Sequence, residues 1–181
     1  MGWTTPRDWT AGELVTEIFQ DQQIKGNMDY IKTELDERVT VYKTADETIN
    51  NSSTLQNDDH LLFAIAANEE WVFDIQLFWD SDATADFKVA LTVPSGATMQ
   101  FGMPNAFIDS EGVAKKGPST TASGGALALI NGDAYNCNSF CGWVLNGATA
   151  GNVQFQWAQS TATAVDTIVR KGSFLRAYKV S

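Results

Sequence analysis

The single histidine, His60, follows Asp58 and Asp59 in "NDDH". An imidazole beside a carboxylate is the pairing a general base uses, but no serine or cysteine is tied to it by a nucleophile motif, so a solvated turn before a strand is the plainer reading. Cys137 and Cys141, in "CNSFC", offer thiolates to a metal. A tetrahedral zinc site needs four ligands, which one histidine and two cysteines do not make. Free thiols buried as small apolar groups are expected, with a short-loop disulfide as the alternative. Asp80, Asp82, Thr84 and Asp86 alternate in "DSDATAD" as calcium-loop ligands do. The mid-loop glycine and closing bidentate glutamate of such a loop are missing, and a polar hairpin loop is expected. Of the six tryptophans, Trp71, Trp79 and Trp157 alternate with polar neighbours, which fits core packing better than sugar stacking. No phosphate loop, nucleotide fingerprint or nucleophile elbow is present. The residues point to no enzyme, no metal ion and no cofactor.

The balance of 22 acidic against 12 basic residues gives a formal charge of -10. Such a field repels phosphate and anionic lipid, arguing against nucleic acid and membrane as partners. No stretch approaches the roughly 20 apolar residues of a membrane span, and "MGWTTPRDWT" lacks a signal peptide's basic and apolar regions, so synthesis in a cytoplasm is expected. With 181 residues, 44% of them hydrophobic, the chain has room for one well-buried core and an extra arm.

The elements that must position these residues fall into two kinds. Thr16 is placed to cap a helix, with Glu17 and Asp21 at its positive end. Ile24, Met28, Ile31 and Leu35 then recur at spacings of four, three and four, a narrow stripe like a coiled-coil seam. Gly26 interrupts it at a cost of about 1 kcal/mol relative to alanine, and so short a helix is marginal alone in water. From Val39 the period changes to two. The spacing predicts an arm at 1–40, a polar linker at 41–53 and a β domain at 54–181. "HLLFAIAANEEWVFDIQLFWDSD" reads as a hairpin with Trp71, Phe73, Ile75, Leu77 and Trp79 on one face. Pro104 to Gly125 reads as a long surface loop. Short strands recurring every 8 to 12 residues or so predict a mainly β fold, an arm with one helix followed by a jelly-roll-like β-sandwich.

The leader "WTTPRDWTAGELVTEIFQDQQIKGNMDYIK" resembles the N-terminal leaders of tailed-bacteriophage structural proteins, on Trp9, Gly12, Glu13, Val15, Thr16, Asn27, Ile31 and Lys32. "LTVPSGATM", "LNGATAGNVQFQWAQ" and the closing "GSFLRAYKVS" look like the β-domains that follow such leaders. The resemblance implies a non-enzymatic virion protein, a trimeric short fibre or head-decoration protein. Its docking residues would include Trp9 and the stripe Ile24, Met28, Ile31 and Leu35. The partners implied are sister chains in a homotrimer and other virion proteins. A module binding a host-surface glycan through Asp80 to Asp86 and Pro104 to Gly125 is the alternative.

Overall fold

A computed structural model describes residues 2–104, 117–129 and 135–181, and the backbone of 107–108 and 114–115; structural statements below concern these residues. The chain divides into two compact units, Met1–Arg38 and Val39–Ser181.

In the first unit, Thr16 stands at the helix N-cap in extended conformation but makes no side-chain capping bond. The helix runs as α1 (Glu17–Gln20), a π-helical turn (Asp21–Lys25) and α2 (Gly26–Asp36). Salt bridges at i,i+4 from Lys25 to Asp29 (2.8 Å) and from Lys32 to Asp36 support α2 on its exposed surface, each contributing a few tenths of a kcal/mol. The segment before the helix folds back along it. Asn27 makes both bonds of an amide pair with the Thr4 backbone: Thr4 N donates to Oδ1 (2.9 Å) and Nδ2 donates to Thr4 O (3.0 Å). Arg7 N donates to Gln23 Oε1 (3.0 Å). Trp3 meets Tyr30 edge-on and Trp9 meets Phe19 the same way, with the Arg7 guanidinium over both Trp9 and Phe19.

The second unit contains β1 (Arg38–Tyr42), β2 (Glu47–Ile49), β3 (Gln56–Ile65), β4 (Glu70–Asp80), β5 (Phe87–Thr92), β6 (Thr98–Gly102), β7 (Phe107–Ile108), β8 (Ala114–Lys115), β9 (Ser119–Thr120), β10 (Leu127–Leu129), β11 (Asn136–Leu145), β12 (Gly151–Gln159), β13 (Thr167–Val169) and β14 (Phe174–Lys179). The larger sheet has the order β1-β14-β4-β11-β6-β9, with β13 joining β2 to β4; the smaller has the order β10-β5-β12-β3. The protein is mainly β, a helical arm followed by antiparallel sheets arranged as a sandwich.

The expected β3–β4 hairpin does not form, although both strands exist. β3 pairs with β12 in the smaller sheet, whereas β4 pairs with β11, β13 and β14 in the larger. Alternating apolar residues specify which face of a strand is buried, and stacking across a sandwich satisfies that pattern as well as edge pairing does. β5 and β6 likewise belong to different sheets.

Trp71, Phe73, Ile75, Leu77 and Trp79 all point inward and are buried. Trp79 stacks on Phe87 with centroids 4.3 Å apart, and Phe101 stacks on Phe140 at 5.4 Å. Gly142 lies opposite Phe73 in the β11–β4 register. A Cβ there would sit 2.4 Å from the Phe73 ring and 2.4 Å from the Gln100 carbonyl oxygen, so the ring occupies the space a side chain would need.

Residues 41–53, read from sequence as a linker, carry the end of β1, all of β2, and the buried side chains of Lys43 and Ile49. Nearby, Asp46 accepts the Lys171 N–H (2.7 Å) and pairs with Arg170 (2.8 Å). These contacts, the backbone bond first, hold its carboxyl below the usual carboxylate range.

Candidate interaction surfaces

The helix of the first unit presents two dissimilar faces. Phe19, Gln23, Asn27 and Tyr30 recur near the helical period and hold the returning segment. Gly26 and Asn27 are the buried residues of α2. The apolar stripe is not used in this closure: Ile24, Met28, Ile31 and Leu35 are 46% to 65% exposed. Leu14, Val15 and Ile18 are exposed as well, and Trp9 is 44% exposed despite its contact with Phe19. The arm's internal contacts are therefore polar and aromatic, while most of its aliphatic surface faces outward. Sequence periodicity found the aliphatic stripe. It missed Arg7, Gln23 and Tyr30, whose signal is a polar and aromatic pattern that hydrophobic spacing does not register.

A second surface lies on the outward face of the larger sheet. Gln100, Trp143, Val72 and Tyr178 are register partners across β6, β11, β4 and β14, forming one row. Trp143, Val72 and Tyr178 are each between 38% and 42% exposed, and Trp143 Nε1 donates to Gln100 Oε1 (3.3 Å). The next row carries Cys141, Asp74 and Arg176, with Arg176 Nη2 bonded to Asp74 at 2.9 Å. Val72, Gln100, Gly102, Cys141 and Trp143 line a shallow depression. Aromatic side chains around a neutralised ion pair match the composition of the central part of a protein interface.

Cys137 and Cys141 belong to this outward face, which corrects the expectation of buried thiols: both are free and exposed. The other face of β11 supplies the buried Phe140 and Val144. A disulfide between the two is also excluded, since residues four apart on one strand are separated by about 13 Å, far beyond the reach of an S–S bond. Gln76 Nε2 donates to Cys137 Sγ (2.7 Å). Both thiols of the folded protein should react with a small alkylating reagent at rates near those of the unfolded chain, read by intact mass. Protection of either until denaturant is added would mean that this face is covered.

The other residues singled out for chemistry are separated by the fold. His60 Nε2 lies 3.0 Å from Thr44 Oγ1, and its buried Nδ1 has no protein partner. The Asp58 carboxylate is engaged instead with Lys43 and with backbone N–H groups, so the Asp–His pairing of a general base is not made. Asp80 binds Arg170 through Nε (2.6 Å) and accepts the Tyr135 N–H. Asp82 accepts from Thr84 Oγ1 and from Thr84 N (2.8 Å), and these bonds, the side-chain one first, lower its pKa. Asp80 and Asp82 are thus committed separately, and the described residues bring no group of three or more histidine, cysteine, aspartate or glutamate residues into a metal-holding arrangement. Trp71, Trp79 and Trp157 are in the core, as their alternation predicted. Of the expected loop at Pro104 to Gly125, residues 105–106, 109–113 and 116 lie outside the described residues, and the rest includes the short strands β7, β8 and β9.

No protein-family model matches this chain, nor does any curated protein. Among solved structures, it is similar to the tripod (BppUct-A-L) from the baseplate of bacteriophage Tuc2009, with 8% identity and a TM-score of 0.33, covering 98% of this chain and 76% of that one. It is also similar to a chain in the structure of infectious bursal disease virus, Gx strain, with 10% identity and a TM-score of 0.21, covering 78% of this chain and 40% of that one.

Proposed function

We propose that the chain is a non-enzymatic structural protein of a tailed-phage virion, a trimeric short fibre or capsid-decoration protein. The observation that carries the reading is the stripe Ile24, Met28, Ile31 and Leu35, which the arm exposes while closing its opposite face with its own residues. A helix this short gains most of its stability from covering such a face. In this reading residues 1–40 dock the protein, through Trp9 and the stripe, to sister chains and to other virion proteins. The leader's resemblance to phage structural proteins supplies the setting. The strand orders β10-β5-β12-β3 and β4-β11-β6-β9 support reading the sandwich as a jelly roll, an architecture used by viral capsid and lectin domains.

The test is the pair of substitutions Ile31→Asp and Leu35→Asp, measured by light scattering and by co-sedimentation with particles lacking the protein. The parent chain should scatter as a trimer and sediment with the particles. The variant should scatter as a monomer and stay in the supernatant, while the β unit keeps its melting temperature. A variant that retains both trimer mass and particle binding refutes the docking role.

A further inference from the structure

Lys43 is the most deeply buried cation described in the β unit, with a side chain that is 0% exposed, and the Asp58 side chain it meets is also 0% exposed. The Lys43 Nζ to Asp58 Oδ2 distance is 2.8 Å, and Glu47 Oε2 is bonded to the same Nζ. The backbone fixes the lysine at both ends: its N–H donates to Ser173 O (2.7 Å), and its carbonyl accepts from Gly172 N (2.9 Å). Asp58 lies on β3 of the smaller sheet, whereas Lys43 follows β1 of the larger. The pair therefore ties the two sheets together.

The second oxygen of Asp58 has an unusual setting. Oδ1 accepts the N–H groups of both His60 (2.9 Å) and Leu61 (2.9 Å). Two preorganised backbone donors on one carboxyl oxygen make the arrangement that stabilises an oxyanion in acyl transfer. A 2.8 Å bond to the other oxygen brings Nζ near the roughly 3–3.5 Å separation at which an amine attacks carbon. Glu47 supplies the third component. Its side chain is 14% exposed, and it is steadied by Gln56 Nε2 on Oε1 (3.0 Å) and by the Asp59 N–H on Oε2 (3.2 Å).

We propose that Lys43 and Asp58 condense to an isopeptide bond, with Glu47 carrying the protons. Along the Nζ···Oδ2 hydrogen bond, the ammonium passes one proton to the carboxylate, leaving a neutral amine and a neutral acid. The nitrogen lone pair attacks Asp58 Cγ, and the carbonyl electrons move onto Oδ1, which the His60 and Leu61 N–H groups hold. Glu47 removes a second proton from the nitrogen and delivers it to the Oδ2 hydroxyl. The Cγ–Oδ2 bond then breaks, water leaves, and the carbonyl re-forms. One ammonium and one carboxylate become one amide and one water, and Glu47 ends as it began. No oxidant or cofactor is needed. The amide oxygen keeps both backbone donors, and the remaining N–H faces Glu47. One buried ion pair is replaced by a neutral group whose polar atoms are satisfied.

Intact mass of the denatured full-length chain tests this directly. The folded protein, once incubated, should weigh one water less than its sequence requires. After cleavage at Glu47, the fragments bearing Lys43 and Asp58 should remain joined, and Lys43 should resist trypsin. The variant Glu47→Gln, which cannot take up the proton, should stay at its full sequence mass. Asp58→Asn should lose ammonia in place of water. A parent chain at full mass overturns the proposal, as does a water loss that maps elsewhere, for example to an aspartate that cyclises on its own backbone. A Glu47→Gln chain that still loses water at the parent's rate overturns the role of Glu47.

Discussion

Replacing Phe73 by alanine is expected to destabilise the β unit by about 3–5 kcal/mol, the range for removing a buried aromatic ring from a core that only partly collapses. The ring is 3% exposed and lies between Phe63 (6.0 Å) and Phe101 (6.3 Å). It also covers Gly142, whose missing side chain leaves nothing else to fill that volume. Both neighbouring rings and the glycine would thus face one void. Denaturant unfolding followed by tryptophan fluorescence measures the loss, with the midpoint shifting and the slope unchanged. A loss within about 0.5 kcal/mol would instead place Phe73 outside the core.

Measured against the folded parent chain before it has lost water, Lys43→Met should cost a similar amount, about 3–5 kcal/mol, for a different reason. The substitution leaves the Asp58 carboxylate buried with two N–H donors and no cation. Removing both charges, with Lys43→Met and Asp58→Leu together, should cost clearly less than the sum of the two single changes, because the Asp58 charge is then no longer stranded and Glu47, which also loses Lys43, keeps its bonds from Gln56 and the Asp59 N–H. Thermal and denaturant melts of the four proteins give the coupling. Additive losses would mean that the two groups do not share an environment.

The sequence made some of this architecture visible and concealed the rest for identifiable reasons. The alternation from Trp71 to Trp79 marked both the strand and its buried face, because every inward residue there is large and apolar. In β11 that rule fails: Phe140 and Val144 point inward while Trp143, Cys141 and Leu145 point outward. With apolar residues on both faces, composition could not assign the thiols to a side. Sheet membership was equally hidden, since an alternating strand does not say whether the next strand lies beside it or across from it. In the arm, the spacing of Ile24, Met28, Ile31 and Leu35 located a face that the arm itself does not cover. The π-helical turn at Asp21–Lys25 has no such periodic signature. Lys43, Glu47 and Asp58 sat in or next to a stretch that read as solvated linker. Their charges suggested exposure, and their meeting depends on β1 and β3 belonging to opposite sheets.

The position of β1 decides how a pull on the proposed docking arm would reach the β unit. It is the outermost strand of its sheet, next to β14, and the chain enters it directly from the arm. Tension applied through the arm therefore enters the β unit along β1 and passes to β14 through backbone hydrogen bonds. Those bonds continue past the strand's end, where Lys43 meets Ser173 and Gly172. Lys43 is also where the load path branches into the opposite sheet at Asp58. Peeling the edge strand away would require breaking that branch as well, so a pull on the arm, were it docked as proposed, would be shared between both layers of the sandwich.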